Sequence, residues 1–292
     1  MLLGGIEAGG TKFVCAVGDS AGTILERITI PTTTPEETMP RVFAFFEKYE
    51  LNAIGVGSFG PIDVNIDSPT YGSITATPKL AWRDYPIVKE LRQRLSVPIG
   101  FNTDVNAAAL AEATLGAAKG LDSCLYITVG TGIGAGAVVH GKLLQGLSHP
   151  EMGHILVRRH EMDTYEGKCP YHQDCLEGLA AGPAIEARWG QKAVNLEGRE
   201  EVWEMEGFYI AQALMQYILI LSPKKIILGG GVMKQKHVFP IIYNHLKKLL
   251  NQYVVLPELD TAIDSYIVSP GLGDNAGVVG SLLLADQAIQ GK

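Results

Sequence analysis

Hydrophobic and polar positions along this chain switch repeatedly between two periods. Leu2–Glu7, Lys12–Val17 and Ile24–Ile30 read as three short strands, separated by Gly9-Gly10 and by Asp19–Gly22. Spacing then turns helical over Glu36–Tyr49, with Val42, Phe45, Phe46 and Tyr49 at i, i+3, i+4 and i+7. Ala53–Ser58 predicts a buried strand. Tyr85–Leu95 predicts a second helix, a short strand follows Pro98, and Asp104–Lys119 predicts an Ala-rich helix. Asp67–Arg83 has no period and reads as a long loop of the functional or mobile kind.

The opening pattern then returns. Ser123–Val129 is an apolar strand, Gly130–Gly134 a Gly/Thr turn and Ala135–His140 another strand, matching Ile6–Val17 in outline. The rest of the chain alternates: strand Gly153–Val157, helix Val202–Leu221, strand Lys225–Leu228, helix Val238–Asn251, strand Tyr266–Val268 and helix Asn275–Ile289. Alternation of this kind predicts an α/β fold, and two similar halves predict two domains with a cleft between them.

Composition narrows the function. The 292 residues carry 24 Lys+Arg and 31 Asp+Glu, a net charge of −7, with no basic stripe for a nucleic acid or an anionic membrane. No apolar run reaches the roughly 18 residues of a membrane span, and Met1–Glu7 lacks the basic start of a signal peptide. Four cysteines are too few for a disulfide scaffold, so a cytoplasmic setting is expected. Glycine is in excess, at 34 where average usage gives roughly 20. Residues 4–10, 55–60, 130–136, 229–231 and 271–280 hold 18 of them, so the surplus sits in five turns.

Those turns carry the candidate chemistry. In Gly9-Gly10-Thr11-Lys12 the glycines would let the backbone approach a phosphate while Thr and Lys add a hydroxyl and a cation; a plain hairpin turn reads equally well. Neither a P-loop nor a G-x-G-x-x-G following a strand is present. Gly130-Thr131-Gly132 strengthens the phosphate reading, since two such loops could hold one polyphosphate. Asn102-Thr103-Asp104 stands where a strand enters a helix. This suits an N-cap, and it also suits an ionised base for a substrate hydroxyl. Cys169, His172 and Cys175, with His154 upstream, have the donors of a closed structural zinc site, with a Cys169–Cys175 disulfide as the rival. Glu151 and Glu177 flank those donors; carboxylates fixed there would suit a polyol, although each alone would suit a solvated surface. Cys15 and Cys124 read as buried inert thiols.

In their order these motifs resemble the ROK family of repressors, open reading frames and sugar kinases, nearest its bacterial fructokinase branch. The resemblance runs from Gly5–Lys12 and Gly57–Pro61 through Asn102–Glu112, Gly130–Gly136, Pro150–His154, Cys169–Glu177 and Leu228–Val232 to Gly271–Gly280. It implies the actin-like ATPase (ribonuclease H-like) fold, with a small domain of residues 1–117 plus 277–292 and a large domain of 118–276 that bears the zinc loop. It implies ATP-dependent phosphorylation of fructose at the 6-hydroxyl, with glucose, mannose or N-acetylmannosamine as alternative sugars. A sugar-sensing regulator is a further alternative, but the phosphate loop begins at residue 9 and leaves no room for a preceding DNA-binding segment. Asp104 is then the general base. Gly60, Asn102, Thr103, Glu151, His154 and Glu177 contact the sugar. Gly9, Gly10, Thr11 and Lys12, then Gly130, Thr131 and Gly132, then Gly229, Gly230 and Gly231 bind ATP. His154, Cys169, His172 and Cys175 hold Zn²⁺, Mg²⁺ accompanies ATP, and a homodimer is expected. Two departures stand out. Most members carry Asp where Glu7 stands, and a Cys is commoner at the place of His172.

Overall fold

Leu3–Ala8 (β1) and Lys12–Gly18 (β2) pair antiparallel in the computed structural model, which describes residues 1–291. Ile24–Pro31 (β3) extends the pair antiparallel, and Pro35–Phe46 (α1) follows. Ala53–Ser58 (β4) adds parallel to β1 on its other side. Ile87–Leu95 (α2) then leads to Ile99–Thr103 (β5), parallel to β4, and directly into Asp104–Thr114 (α3). The sheet order is β3-β2-β1-β4-β5. Every residue of β4 is buried, as a central strand covered on both faces requires.

A second sheet comprises Cys124–Val129 (β6), Ile133–Val139 (β7) and Lys142–Leu143 (β8). After the short helices Leu176–Ala180 (α4) and Gly182–Trp189 (α5) come the long Glu200–Leu221 (α6), strand Ile226–Gly229 (β9), Val238–Leu250 (α7), Ile263–Tyr266 (α8) and strand Ile267–Val268 (β10). The order is β10-β9-β6-β7-β8, with β9 parallel to both its neighbours. Ala276–Gln290 (α9) closes the chain.

The chain divides into two units. One holds 1–120, 136–150 and 271–292; the other holds 121–135 and 151–270. Residues 136–150 thus group with the first unit.

In the first unit α9 lies on the sheet with Val278, Val279 and Leu282–Ala285 buried, each large apolar side chain contributing roughly 1.5–3 kcal/mol. The approach is close enough to require glycine. A Cβ on Gly55 would meet the Ser281 carbonyl at 1.8 Å, and one on Gly280 would meet the Ala107 carbonyl at 1.8 Å. The unperiodic stretch 67–83 is anchored by Trp82, whose indole donates to the Thr33 carbonyl (2.7 Å) and packs 5.1 Å from the Phe13 ring. α3 stops at Thr114, short of Lys119, because the buried Glu112 turns its carboxylate on the following backbone. It accepts from Ala117 (2.7 Å), Gly271 (2.9 Å) and Leu272 (3.0 Å).

In the second unit Gly153–Val157 is not a strand. Met152–His154 forms one turn of 3₁₀ helix, and the chain beyond it makes a single isolated bridge, Leu156 with Cys175. Its backbone groups find side chains of α6 in place of a ladder. Tyr217 donates to the Met152 carbonyl (2.5 Å), and Gln212 both accepts from the Arg158 amide (2.8 Å) and donates to its carbonyl (3.0 Å). No helix among the described residues is long and apolar enough to cross a membrane.

Candidate active site

The β1–β2 turn is drawn tight by its own backbone. The Gly9 amide donates to the Lys12 carbonyl (3.1 Å), and Thr32 Oγ1 donates to the Gly9 carbonyl (2.7 Å). Thr11 and Lys12 are left exposed at the tip. Glu7, at the end of β1, rests on the first turn of α9, where a Cβ on Gly277 would come within 2.4 Å of its carboxyl carbon. Burial, with the charge of Asp104 added, pushes Glu7 up to about 7 against the pull of Lys12 and Arg27; Asp274 adds a smaller upward push. Carboxylates crowded in this way, beside an exposed loop, are the oxygen donors that suit a hydrated divalent cation.

Asp104 is the first residue of α3, and the local sequence explains its setting. Thr103 is the N-cap and accepts from the Asn106 amide (3.1 Å). Asp104 Oδ1 accepts from the Val105 amide (2.9 Å). Asn102 Oδ1 accepts from the Thr103 amide and from Asn106 Nδ2, both at 2.9 Å, while Asn106 Oδ1 accepts from Ala137 (3.2 Å). The corner is therefore fixed before any ligand arrives, with the carboxylate at a helix N-terminus that favours its negative charge. Of the expected sugar contacts, Asn102 and Thr103 belong to this frame, and Gly60 precedes Pro61 at the end of the β4 turn.

Sequence reasoning missed two residues of the same corner. Asn106 is its buried pivot. His149, also buried, accepts from the Ile62 amide through Nε2 (3.0 Å), so its ring proton sits on Nδ1. Burial holds its pKa below the usual histidine value, although Asp104's charge opposes this. An Asn one helical turn past a strand end could have been flagged from sequence; a lone His before Pro150 gave no signal.

In the second unit the four metal donors come together. His154 Nδ1 lies 3.6 Å from both Cys169 Sγ and Cys175 Sγ, and His172 Nδ1 lies 3.7 Å from Cys169 Sγ. All four donor atoms fall within 4.8 Å of one another. Both cysteines are free thiols, so the disulfide alternative is not realised. Cys15 and Cys124 are buried, and burial pushes the Cys15 thiol well up. Glu151 stands at the surface, yet its carboxyl is crowded. Burial raises its pKa, His154 opposes this and Glu177 adds to it.

Glu177, in the first turn of α4, is held. Its Oε2 accepts from the Ile133 amide (2.9 Å) at the end of the Gly130–Gly132 loop. That loop is closed internally by Gly130 donating to Gly132 (2.9 Å) and is tied to α5 by Gly182 donating to Gly130 (2.8 Å). In Gly229-Gly230-Gly231 the middle residue has φ +89° and lies against Val129, 2.4 Å from its carbonyl oxygen to a would-be Cβ; only glycine fits.

Similarity to known proteins extends over the whole chain. A Bacillus subtilis (strain 168) protein with a provisional fructokinase name is 64% identical over 289 residues, 99% of this chain and 97% of that protein. The fructokinase of Pediococcus pentosaceus is 46% identical over 290 residues, 99% of each chain. Among solved structures, a ROK family glucokinase from Streptomyces griseus in complex with glucose and AMPPNP superposes with a TM-score of 0.76 at 25% identity, covering 98% of this chain and 100% of that one. The fold is the actin-like ATPase architecture of these kinases. With residues 3–288 matching the ROK family as a whole, the chain belongs to that family.

Proposed function

We propose that this protein is an ATP-dependent fructokinase that transfers the γ-phosphoryl group of ATP to the 6-hydroxyl of fructose. The observation that carries the reading is the Asp104 corner, a carboxylate fixed at a helix N-terminus by its own cap and by Asn102 and Asn106. Nearly full-length similarity to fructokinases supports the choice of sugar. Asp104 accepts the hydroxyl proton as the phosphoryl group departs in line. Positioning and charge stabilisation supply most of the rate for this reaction, and general-base help adds about 10²–10⁴-fold. Gly9–Lys12 and Gly130–Gly132 cradle the phosphates, and Gly229–Gly231 passes along the adenosine. Glu151, His154 and Glu177 hold sugar hydroxyls. When bound with ATP, Mg²⁺ neutralises charge on the phosphates, and Glu7 is the side chain disposed to hold its hydration shell.

His154, Cys169, His172 and Cys175 would hold Zn²⁺. Zn–S bonds of about 2.3 Å and Zn–N bonds of about 2.05 Å in a tetrahedron put N and S about 3.6 Å apart. The observed 3.6–3.7 Å separations fit that geometry. A set of two thiols and two imidazoles without carboxylate or open position belongs to a structural site. Free thiols suit a reducing cytoplasm, where the protein acts as a homodimer on this reading.

The test is ADP release measured across fructose, glucose, mannose and N-acetylmannosamine. Fructose is expected to give the highest kcat/KM. Strong turnover of another hexose beside a flat response to fructose overturns the substrate assignment.

A further inference from the structure

The loop Gly130–Ile133 contains two glycines in its first three residues and has little of its own to hold a shape. Glycine-rich backbone loses more freedom on ordering than any other, yet a phosphate cradle needs its amides converged in advance. Beyond its internal Gly130–Gly132 bond (2.9 Å), the contacts that order this loop come from the segments bearing the candidate metal donors. On one arm Glu177, two residues past Cys175, takes the Ile133 amide on Oε2 (2.9 Å). The same oxygen lies over Gly132, where a Cβ would approach it to 2.6 Å. Where α4 passes into α5, the Gly182 amide takes the Gly130 carbonyl (2.8 Å). On the other arm Gly153, the residue before His154, fits beneath the Ile133 carbonyl so closely that a Cβ would come to 1.7 Å. Both arms thus touch the loop within two residues of a metal donor.

We propose that the four-donor site and Glu177 act as a clamp on the Gly130–Ile133 backbone, so that the metal site sets affinity for the nucleotide's phosphates as well as for sugar. The proposal rests on reading this loop as a phosphate loop. Glu177 is on this view a positioning residue: one carboxylate oxygen is committed to the loop, which leaves the other for a sugar hydroxyl. A carboxylate–amide bond of this kind is charge-assisted and directional, and its loss releases the end of the loop. Binding must then order the backbone that the clamp had ordered beforehand.

The experiment compares ADP with adenosine by calorimetry on the intact, metal-loaded chain, so that the ratio of affinities reports the phosphate contacts alone. Glu177→Leu should bind ADP about tenfold or more weakly, with adenosine affinity within about twofold of native. Glu177→Gln keeps an acceptor oxygen for Ile133 and should retain near-native ADP affinity even where its sugar KM rises. Metal content is measured on each variant. Unchanged ADP affinity in metal-replete Glu177→Leu overturns the clamp. A native chain that binds ADP no better than adenosine overturns the phosphate-loop reading itself. Hydrogen exchange of the 130–134 amides in the native sequence, with and without chelator, needs no variant to fold. Exchange should quicken at least about tenfold when metal is removed, and unchanged protection overturns the clamp.

Discussion

The Asp104 corner and the metal loop position comparable numbers of functional groups by opposite means. At the corner a buried parallel strand runs straight into a helix, and the side chains that frame Asp104 bond mostly within a few residues, Thr103 to the Asn106 amide and Asn102 to the Thr103 amide and the Asn106 side chain, with one longer tie from Asn106 to Ala137. In the metal loop, residues 151–175 have almost no ladder. Their order comes from the cluster of four candidate donors and from α5 and α6, where Tyr209 of α6 donates to Asp163 (2.6 Å) and the buried Arg188 of α5 pairs with it (2.9 Å). Regular structure makes the first site robust and local. The second draws on distant side chains and, where the proposed zinc is bound, on an ion, so it should be loosened without unfolding the chain.

The largest expected effect lies at the robust site. Asp104→Ala should lower kcat by at least about 10²-fold and up to about 10⁴-fold, while nucleotide binding stays near native, because the cap on Thr103 and the Asn102–Asn106 bond do not involve the deleted carboxylate. Steady-state kinetics with ADP calorimetry reads both quantities. A kcat change below tenfold would show that Asp104 is not the base.

Cys169→Ala probes the other half of the comparison. Elemental analysis should find about one zinc per native chain and far less in the variant. The sugar KM should rise more steeply than the nucleotide KM, since Glu151 and Glu177 flank the donors directly whereas the Gly130–Ile133 loop is one contact removed. The Asp163–Arg188 anchor and the α6–Gln212 bonds survive the change, so cooperative unfolding persists at a lowered midpoint. Native activity in fully metal-free protein would mean that the irregular segment holds itself.

The same contrast decides what could be read from the sequence. β1, β2, β4 and α9 are legible because periodicity reports burial, and their ladders and core faces follow from it. The four donors are legible because metal chemistry restricts residue type and the chain keeps them close. Gly153–Val157 misleads: Ile155, Leu156 and Val157 look like a strand, yet Leu156 is 71% exposed and the segment pairs only briefly with Cys175 and Leu176 and otherwise with an α6 side chain some sixty residues away. α4 and α5 are too short, and too rich in Gly and Pro, to show a period. The bond from Glu177 to Ile133 spans 44 residues and leaves no mark on local pattern, so the role of Glu177 toward the loop is visible only in three dimensions.

The smallest effect concerns a carboxyl that neither site uses. Glu206 lies on α6, fully buried, and neither of its carboxyl oxygens has a hydrogen-bond partner among the described residues. Burial pushes its pKa up to about 8, with only Arg188 drawing it back. The unfolded chain ionises this group near 4.5, so between about pH 4.5 and 8 the folded state carries a proton that the unfolded state has released. Glu206 therefore favours folding fully below 4.5, and that contribution is lost as pH rises through 8, at a slope of at most about 1.4 kcal/mol per pH unit. Denaturant midpoints of the native chain and Glu206→Gln, taken from pH 5 to 9, isolate this term, because all other groups titrate alike in both. The variant should gain on the native chain as pH rises, by an amount on the order of a few kcal/mol. A pH-independent difference would mean that Glu206 finds a partner in solution, and that regular structure in the second unit holds no unpaired acid.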